Sequence, residues 1–421
     1  MAEKKLSLKV SVDKNLFVPG MRRVVEVSIQ APVSTKVKVR PPLNLALVID
    51  RSGSMGGSKL EYAKMAAIHL LDNLNEHDRI SVVAYDDHIT VLEEGCMAYP
   101  AAVAIIRQRI RELSSRGSTD LGGGWMQGCQ CVAHQLLPEG VNRVLLLTDG
   151  LANVGITSME ELGVHSRELH SRGVSTTTFG VGADFDEHLL EHMANMGGGN
   201  FYFIKSPTQI PAFFNEEFKE LSTITARQVA IEVDLPTGVS AIIPGGWKTE
   251  TSTNFARVSL GDLPSGCTRE VYLWLTFPEQ WDAANASLKI TARGRGPNSS
   301  VMEEVSEVTF RRVEPAEEDA LPYDRELMER FSLVMMSDRT SAALMMDRQG
   351  DFDGARQMLR TSLDAQRDFM CIEDVEKIEF LAEKRIGAMS PMEAKDEQMR
   401  YYRNKQRRGP QPPEPDKPDQ P

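Results

Sequence analysis

The length, composition and charge of this chain exclude several classes of protein. Its 421 residues are 41% hydrophobic and 26% charged, a balance typical of a folded protein with two or three domains and not of a disordered or fibrous one. The formal net charge of -12 repels phosphate groups and anionic lipids, so we expect neither nucleic acid nor a membrane as a main partner.

The first residues and the cysteines indicate a compartment. Residues 1–5 lead into an alternating pattern without the apolar run of a secretion signal, and no stretch reaches the roughly 18 apolar residues of a membrane span. The five cysteines are few and odd in number, which favours free thiols in a reducing compartment over a disulfide framework. We therefore expect a cytoplasmic protein.

Residues 1–40 have the alternation of half-buried strands, for example in Val24-Val25-Glu26-Val27. Two or three strands do not make a stable sheet alone. We therefore predict that they complete a β-sandwich with strands found later in the chain.

The character of the sequence changes over residues 41–222. Residues 43–49 form an apolar run with no polar face, which is typical of a strand covered on both sides by helices. Similar runs then alternate with helical spacing up to residue 222, which predicts a doubly wound, mainly parallel α/β domain. In such domains, ligands bind beyond the carboxyl ends of the strands.

Short alternating strands return over residues 223–315, separated by turns such as Pro236-Thr237-Gly238. This pattern predicts the rest of the β-sandwich, so that the α/β domain is an insertion in it.

Residues 316–390 have helical spacing, with a break at Gln349-Gly350-Asp351. The break resembles the turn of one tetratricopeptide unit, but solenoids need about three units, so we favour a plain helical hairpin or bundle. Residues 391–421 are interpreted as a solvated basic helix end, followed by a disordered proline-rich tail. The basic residues of that end are Arg400, Arg403, Lys405, Arg407 and Arg408.

Five oxygen-bearing side chains follow buried strands or precede helices in the predicted α/β domain. Asp50, Ser52 and Ser54 come directly after the first strand, Thr119 opens a helix, and Asp149 follows a third strand. All three loops are expected at the same edge of a parallel sheet, where short oxygen ligands suit a hard divalent cation. The sequence thus predicts one metal site.

Together, Asp50-x-Ser52-x-Ser54, Gly117-Ser118-Thr119 and Thr148-Asp149-Gly150 resemble the metal-ion-dependent adhesion site (MIDAS) of von Willebrand factor type A (VWA) domains, complete in all five positions. The resemblance covers residues 43–221 and implies the Rossmann-like fold of that family. The order of strands, inserted domain, strands and helices is similar to that of cytosolic bacterial VWA proteins.

The resemblance also implies roles for the five residues. The hydroxyls of Ser52, Ser54 and Thr119 would bind the ion directly, and Asp50 and Asp149 would act partly through water. One coordination position would remain for an Asp or Glu carboxylate of another protein. In a cytoplasm the ion is expected to be Mg²⁺, with Mn²⁺ or Ca²⁺ as alternatives.

We therefore expect a metal-dependent adaptor or scaffold that is not an enzyme. One alternative is a regulatory subunit of a complex containing an ATPase, a kinase or a phosphatase, in which the metal is mainly structural. A metal-dependent hydrolase is disfavoured, since the serines lack a Gly-x-Ser-x-Gly elbow and no further carboxylates indicate a two-metal site.

Overall fold

The computed structural model describes residues 5–33, 40–296, 300–384 and 391–405. These residues divide into two compact units. Residues 40–224 form the first, here called the α/β unit. Residues 5–33 and the described residues from 225 onwards form the second, here called the β-plus-helix unit.

The strands and helices are numbered in chain order through both units. The strands are β1 (Ser7–Val12), β2 (Leu16–Phe17), β3 (Arg22–Gln30), β4 (Leu43–Asp50), β5 (Arg79–Tyr85), β6 (Ile89–Met97), β7 (Val141–Thr148), β8 (Ser175–Val181), β9 (Gly198–Ile204), β10 (Ile224–Asp234), β11 (Ser240–Ile242), β12 (Lys248–Ser252), β13 (Phe255–Pro264), β14 (Thr268–Thr276), β15 (Asn285–Arg295) and β16 (Val301–Arg312). The helices are α1 (Ser58–Asp72), α2 (Pro100–Arg111), α3 (Leu121–His134), α4 (Met159–Ser171), α5 (Glu187–Met196), α6 (Ile210–Ser222), α7 (Pro315–Ala320), α8 (Arg325–Arg348), α9 (Phe352–Gln366), α10 (Ile372–Lys384) and α11 (Pro391–Lys405).

The α/β unit is built on one six-stranded sheet with the order β6-β5-β4-β7-β8-β9. All neighbouring pairs are parallel except β5 with β6. Every residue of β4, β7 and β8 is buried, as expected for central strands covered by helices on both faces. The predicted doubly wound, mainly parallel fold is therefore confirmed.

Helix α3 approaches the sheet closely because small residues face it. A methyl group built on Gly128 would lie 2.3 Å from Cγ2 of Val48 on β4, and one on Gly124 would lie 2.4 Å from Cγ of Tyr85 on β5. Larger side chains at these positions would push the helix away. The close packing fixes the start of α3, and with it the loop that holds Thr119.

The β-plus-helix unit contains two sheets, with the orders β1-β3-β14-β11 and β12-β13-β10-β15-β16-β2. The N-terminal strand β3 pairs along its whole length with β14, more than 200 residues away, and sets Val25 opposite Leu273. Apolar residues from both sheets share one core cluster, including Val27 of β3, Ile231 of β10 and Ile290 of β15.

Helix α8 packs against the sheet that contains β3 and β14. Phe331 lies in the apolar cluster with Tyr272, and Arg330 binds the buried Glu26 carboxylate at 2.7 Å. Two further buried ion pairs involve α7. The Glu318 carboxylate accepts hydrogen bonds from Lys14 at 2.8 Å and from Arg23 of β3 at 2.6 Å. The helices of the C-terminal part are thus confirmed, and the break at residues 349–351 lies where it was predicted.

The helix end that was interpreted as solvated is packed. Tyr401, Tyr402 and Arg403 of α11 are buried, and Tyr401 joins a core cluster with Leu344 and Leu359. This part of the interpretation is wrong because the two tyrosines supply an apolar face that the basic residues obscured. Arg407, Arg408 and the proline-rich tail lie outside the described residues. Among those described, no helix is long and apolar enough to cross a bilayer.

Candidate metal centre

Three loops meet at the carboxyl edge of the parallel sheet in the α/β unit. Asp50 is the last residue of β4, and Asp149 directly follows β7, the parallel neighbour of β4. Thr119 precedes α3 by two residues. The direction of the strands brings these loops together, as the sequence pattern predicts.

A chain of hydrogen bonds joins the first and third loops. The Asp50 carboxylate accepts from the Ser52 N–H at 2.8 Å and from the Thr148 hydroxyl at 2.6 Å. The Ser52 and Ser54 hydroxyls lie 3.1 Å apart, and Ser54 donates to Asp149 Oδ1 at 2.7 Å. These contacts fix four of the five predicted side chains relative to one another.

The fifth side chain, Thr119, reaches the same place. A methyl group built on Gly150 would lie 3.5 Å from Thr119 Oγ1 and 3.6 Å from Ser54 Oγ. The hydroxyls of the first and second loops therefore border one small space, which the absence of a side chain at Gly150 leaves open. The structure brings together all five residues that the sequence singles out.

The second loop is held in place by the backbone of its neighbours. The Gly53 N–H donates to the Gly117 carbonyl at 3.1 Å, and the Asn153 N–H donates to the Thr119 carbonyl at 3.1 Å. Gly117 has a φ of +69°, and a methyl group there would lie 2.1 Å from Asp87 Oδ1, so only glycine fits. The Thr119 hydroxyl is thus presented by a rigid loop.

The centre contains two buried carboxylates. The side chains of Asp50 and Asp149 are buried, and the Lys59 ammonium pairs with Asp149. Burial, with a contribution from the charge of Asp149, raises the pKa of Asp50 from 3.8 to about 6 despite the hydrogen bonds from Thr148 and Ser52. The Ser54 side is exposed, so the centre opens to solvent there.

A buried tyrosine hydroxyl adds to this environment. Tyr85 is fully buried, and its hydroxyl lies close to the Thr148 hydroxyl and to the Asp50 carboxylate. Burial and the charge of Asp50 hold the pKa of that hydroxyl well above its ordinary value of 10.0. Two buried carboxylates and three converging hydroxyls supply the oxygen ligands that suit a hydrated hard cation.

The sequence analysis did not identify a set of charged residues that link the first and second loops of the centre. Asp86 directly follows β5, the parallel neighbour of β4, and its buried carboxylate accepts from Arg51 and from Arg116, each at 2.8 Å. Burial alone would raise the pKa of Asp86, but the Arg116 hydrogen bond and the Arg51 charge hold it below its ordinary value. The signal that could have identified Asp86 is its place at the end of a central strand.

Asp86, Asp87 and His88 also lie close enough to form a metal-binding group, with ligand atoms within 4.8 Å of one another. Asp87 and His88 are exposed, and Asp86 is already paired with two guanidinium groups. This group is therefore a weaker metal candidate than the five-residue centre.

Comparison with known proteins identifies the α/β unit. Residues 44–216 match the model of the von Willebrand factor type A domain family. The chain is 26% identical over 370 residues to the uncharacterized protein sll0103 of Synechocystis, covering 85% of this chain and 86% of that protein. It is 27% identical over 227 residues to human inter-alpha-trypsin inhibitor heavy chain H3, covering 51% of this chain but only 25% of the heavy chain.

A solved structure shares the fold of nearly the whole chain. The von Willebrand factor type A protein from Catenulispora acidiphila has a TM-score of 0.74, with 15% identity and coverage of 95% of this chain and 98% of that chain. Residues 44–216, which match the family model and carry the three loops of the centre, are therefore a von Willebrand factor type A domain.

Proposed function

We propose that this protein is a metal-dependent adaptor whose VWA domain binds another protein through one divalent ion. VWA domains are typically protein-interaction modules. The observation that carries the metal dependence is the convergence of three hydroxyls and two carboxylates on one small space that opens to solvent at Ser54.

In this proposal, Ser52, Ser54 and Thr119 bind the ion directly, and Asp50 and Asp149 hold it partly through water. Hydroxyl ligands leave much of the ion's charge uncompensated, so an acidic group is the preferred external ligand. The partner would therefore supply an Asp or Glu carboxylate. Mg²⁺ suits a small site that keeps some water, and Mn²⁺ or Ca²⁺ could replace it in vitro.

A catalytic role is disfavoured by the contacts of the two serines. Their hydroxyls hydrogen-bond to each other and to Asp149, whose second oxygen is paired with Lys59. No free general base stands beside them among these contacts, so nucleophilic attack by either serine would lack activation. Binding is the chemistry that this arrangement supports best.

Thr119→Ala tests the proposal, with Thr208→Ala as the matched control. Thr119 is 3% exposed and borders the centre, whereas Thr208 is an exposed residue of the same unit. The immobilised full chain and both variants are incubated with cytosol from the source organism, in Mg²⁺ and in EDTA, and the retained proteins are identified by mass spectrometry.

The proposal expects at least one partner that wild type and Thr208→Ala retain only in Mg²⁺, and that Thr119→Ala does not retain. Replacing the partner's acidic residues one at a time should then identify a single carboxylate whose loss weakens binding by about 2 kcal/mol or more. If the same proteins are retained in all conditions, binding through the ion is wrong. Loss of folding in Thr119→Ala would instead favour a structural metal.

A further inference from the structure

Lys59 is the one cation in contact with the carboxylates of the candidate centre among the described residues. It is the second residue of α1, and its ammonium pairs with Asp149 Oδ2. The Asp149 side chain is fully buried, whereas that of Lys59 is 24% exposed. Within the described part of the chain, by contrast, the hydrogen bonds to Asp50 come from Ser52 and Thr148.

The position of Lys59 is unfavourable for a helix by itself. The first turn of a helix carries partial positive charge, which repels a cation. The pairing with Asp149 offsets this repulsion. The ammonium also lies against the loop after β8, since a methyl group built on Gly182 would be 3.8 Å from Lys59 Nζ. Lys59 therefore lies between Asp149 and the loop after β8.

Both oxygens of Asp149 consequently have partners without any metal. Oδ1 accepts from the Ser54 hydroxyl, and Oδ2 receives the ammonium. We propose that Lys59 is a built-in counter-cation of the metal centre, which neutralises Asp149 in the metal-free protein and gives way when a divalent ion binds. This inference rests on the metal site of the proposed function.

Two consequences follow from this competition. The metal-free domain keeps its fold, because a buried carboxylate without any cation beside it would destabilise the folded state. Metal affinity is also lowered, because the ion must separate the ammonium from Asp149 and then tolerate a positive charge nearby.

The test compares wild type with Lys59→Met and with the control Lys219→Met. Methionine preserves the length of the side chain without its charge, and Lys219 is an exposed residue on α6 of the same unit. Mn²⁺ binding is measured by titration calorimetry on the full chain, and thermal unfolding is followed in EDTA and in saturating Mn²⁺.

We expect Lys59→Met to bind Mn²⁺ about tenfold more tightly than wild type, because a like charge close to the ion is removed. Its unfolding temperature should be lower than that of wild type in EDTA and should recover in Mn²⁺. Lys219→Met should match wild type in both measurements.

The possible failures are distinguishable. If wild type and both variants bind Mn²⁺ with the same affinity, the metal site stands and the competition by Lys59 is wrong. If none of them binds Mn²⁺, the metal site itself is wrong, and the inference falls with it. Binding by Lys59→Met alone would support the competition in its strongest form.

Discussion

Asp50→Asn should stabilise the metal-free VWA domain, although Asp50 is a predicted ligand position. Asparagine keeps an oxygen that accepts from the Ser52 N–H, and its amide can donate to the Thr148 oxygen. Burial raises the pKa of Asp50 from 3.8 to about 6. At pH 8 this rise in the pKa of Asp50 on folding lowers the free energy of unfolding by roughly 3 kcal/mol, since each pKa unit is worth about 1.4 kcal/mol.

The effect has a definite dependence on pH. Because the folded-state pKa of Asp50 lies above the unfolded value, wild type gains stability as the pH falls through 6 towards 4. Asparagine does not titrate. The advantage of the variant should therefore be about 1 to 2 kcal/mol at pH 8, after some loss of hydrogen-bond quality, and should vanish near pH 4.

Urea unfolding in EDTA, followed by circular dichroism at pH 8 and pH 4.5, measures this difference. Asp86→Asn is the matched control, because Asp86 is an equally buried carboxylate at the end of the neighbouring strand but is paired with Arg51 and Arg116. That variant should be less stable than wild type at pH 8, since it removes the negative partner of the buried Arg51 guanidinium. If Asp50→Asn is destabilised as much as Asp86→Asn, the assignment of uncompensated charge to Asp50 is wrong.

Three further predictions concern other parts of the molecule. Gly150→Ala should fold normally yet weaken Mn²⁺ binding at least about tenfold in calorimetry, because the new methyl group would occupy the space beside the hydroxyls of Thr119 and Ser54. Gly53→Ala is the control and should bind Mn²⁺ normally, since its methyl group would approach a backbone carbonyl instead. Glu217→Gln should lower the free energy of unfolding by about 3 kcal/mol in thermal denaturation, because Glu217 is fully buried and its charge faces Arg143 at 3.3 Å; an unchanged stability would show that this ion pair contributes nothing. Burial raises the pKa of Asp13 to about 6, so Asp13→Asn should be more stable than wild type at pH 8 and equal to it near pH 4, and the reverse order would contradict the assigned cause.

The candidate centre could be predicted because its residues follow from strand direction. Asp50 and Asp149 terminate parallel neighbours, and parallel strands bring their carboxyl ends to one edge whatever the details of packing. The mainly parallel sheet was predictable for the same reason, since β4 and β7 have no polar face. These features depend on patterns within short stretches of sequence.

The charge pairing of the centre could not be predicted, because it depends on distances between side chains. Nothing in the sequence shows that Lys59 reaches Asp149 or that Arg51 and Arg116 share Asp86. The burial of Tyr401 and Tyr402 was missed because their helix carries many charges, and its apolar side is evident only from the core cluster that receives it. Local sequence patterns do not predict which side chains far apart in the chain contact one another.

The measurement that tests the central claim most directly is a crystal structure of the full chain grown with Mn²⁺, with the ion located by its anomalous scattering. The account predicts a peak at coordination distance, about 2.1 Å, from the hydroxyl oxygens of Ser52, Ser54 and Thr119, with Lys59 Nζ moved away from Asp149. A peak only at Asp86, Asp87 and His88, or no peak at the five-residue centre under saturating Mn²⁺, would contradict it.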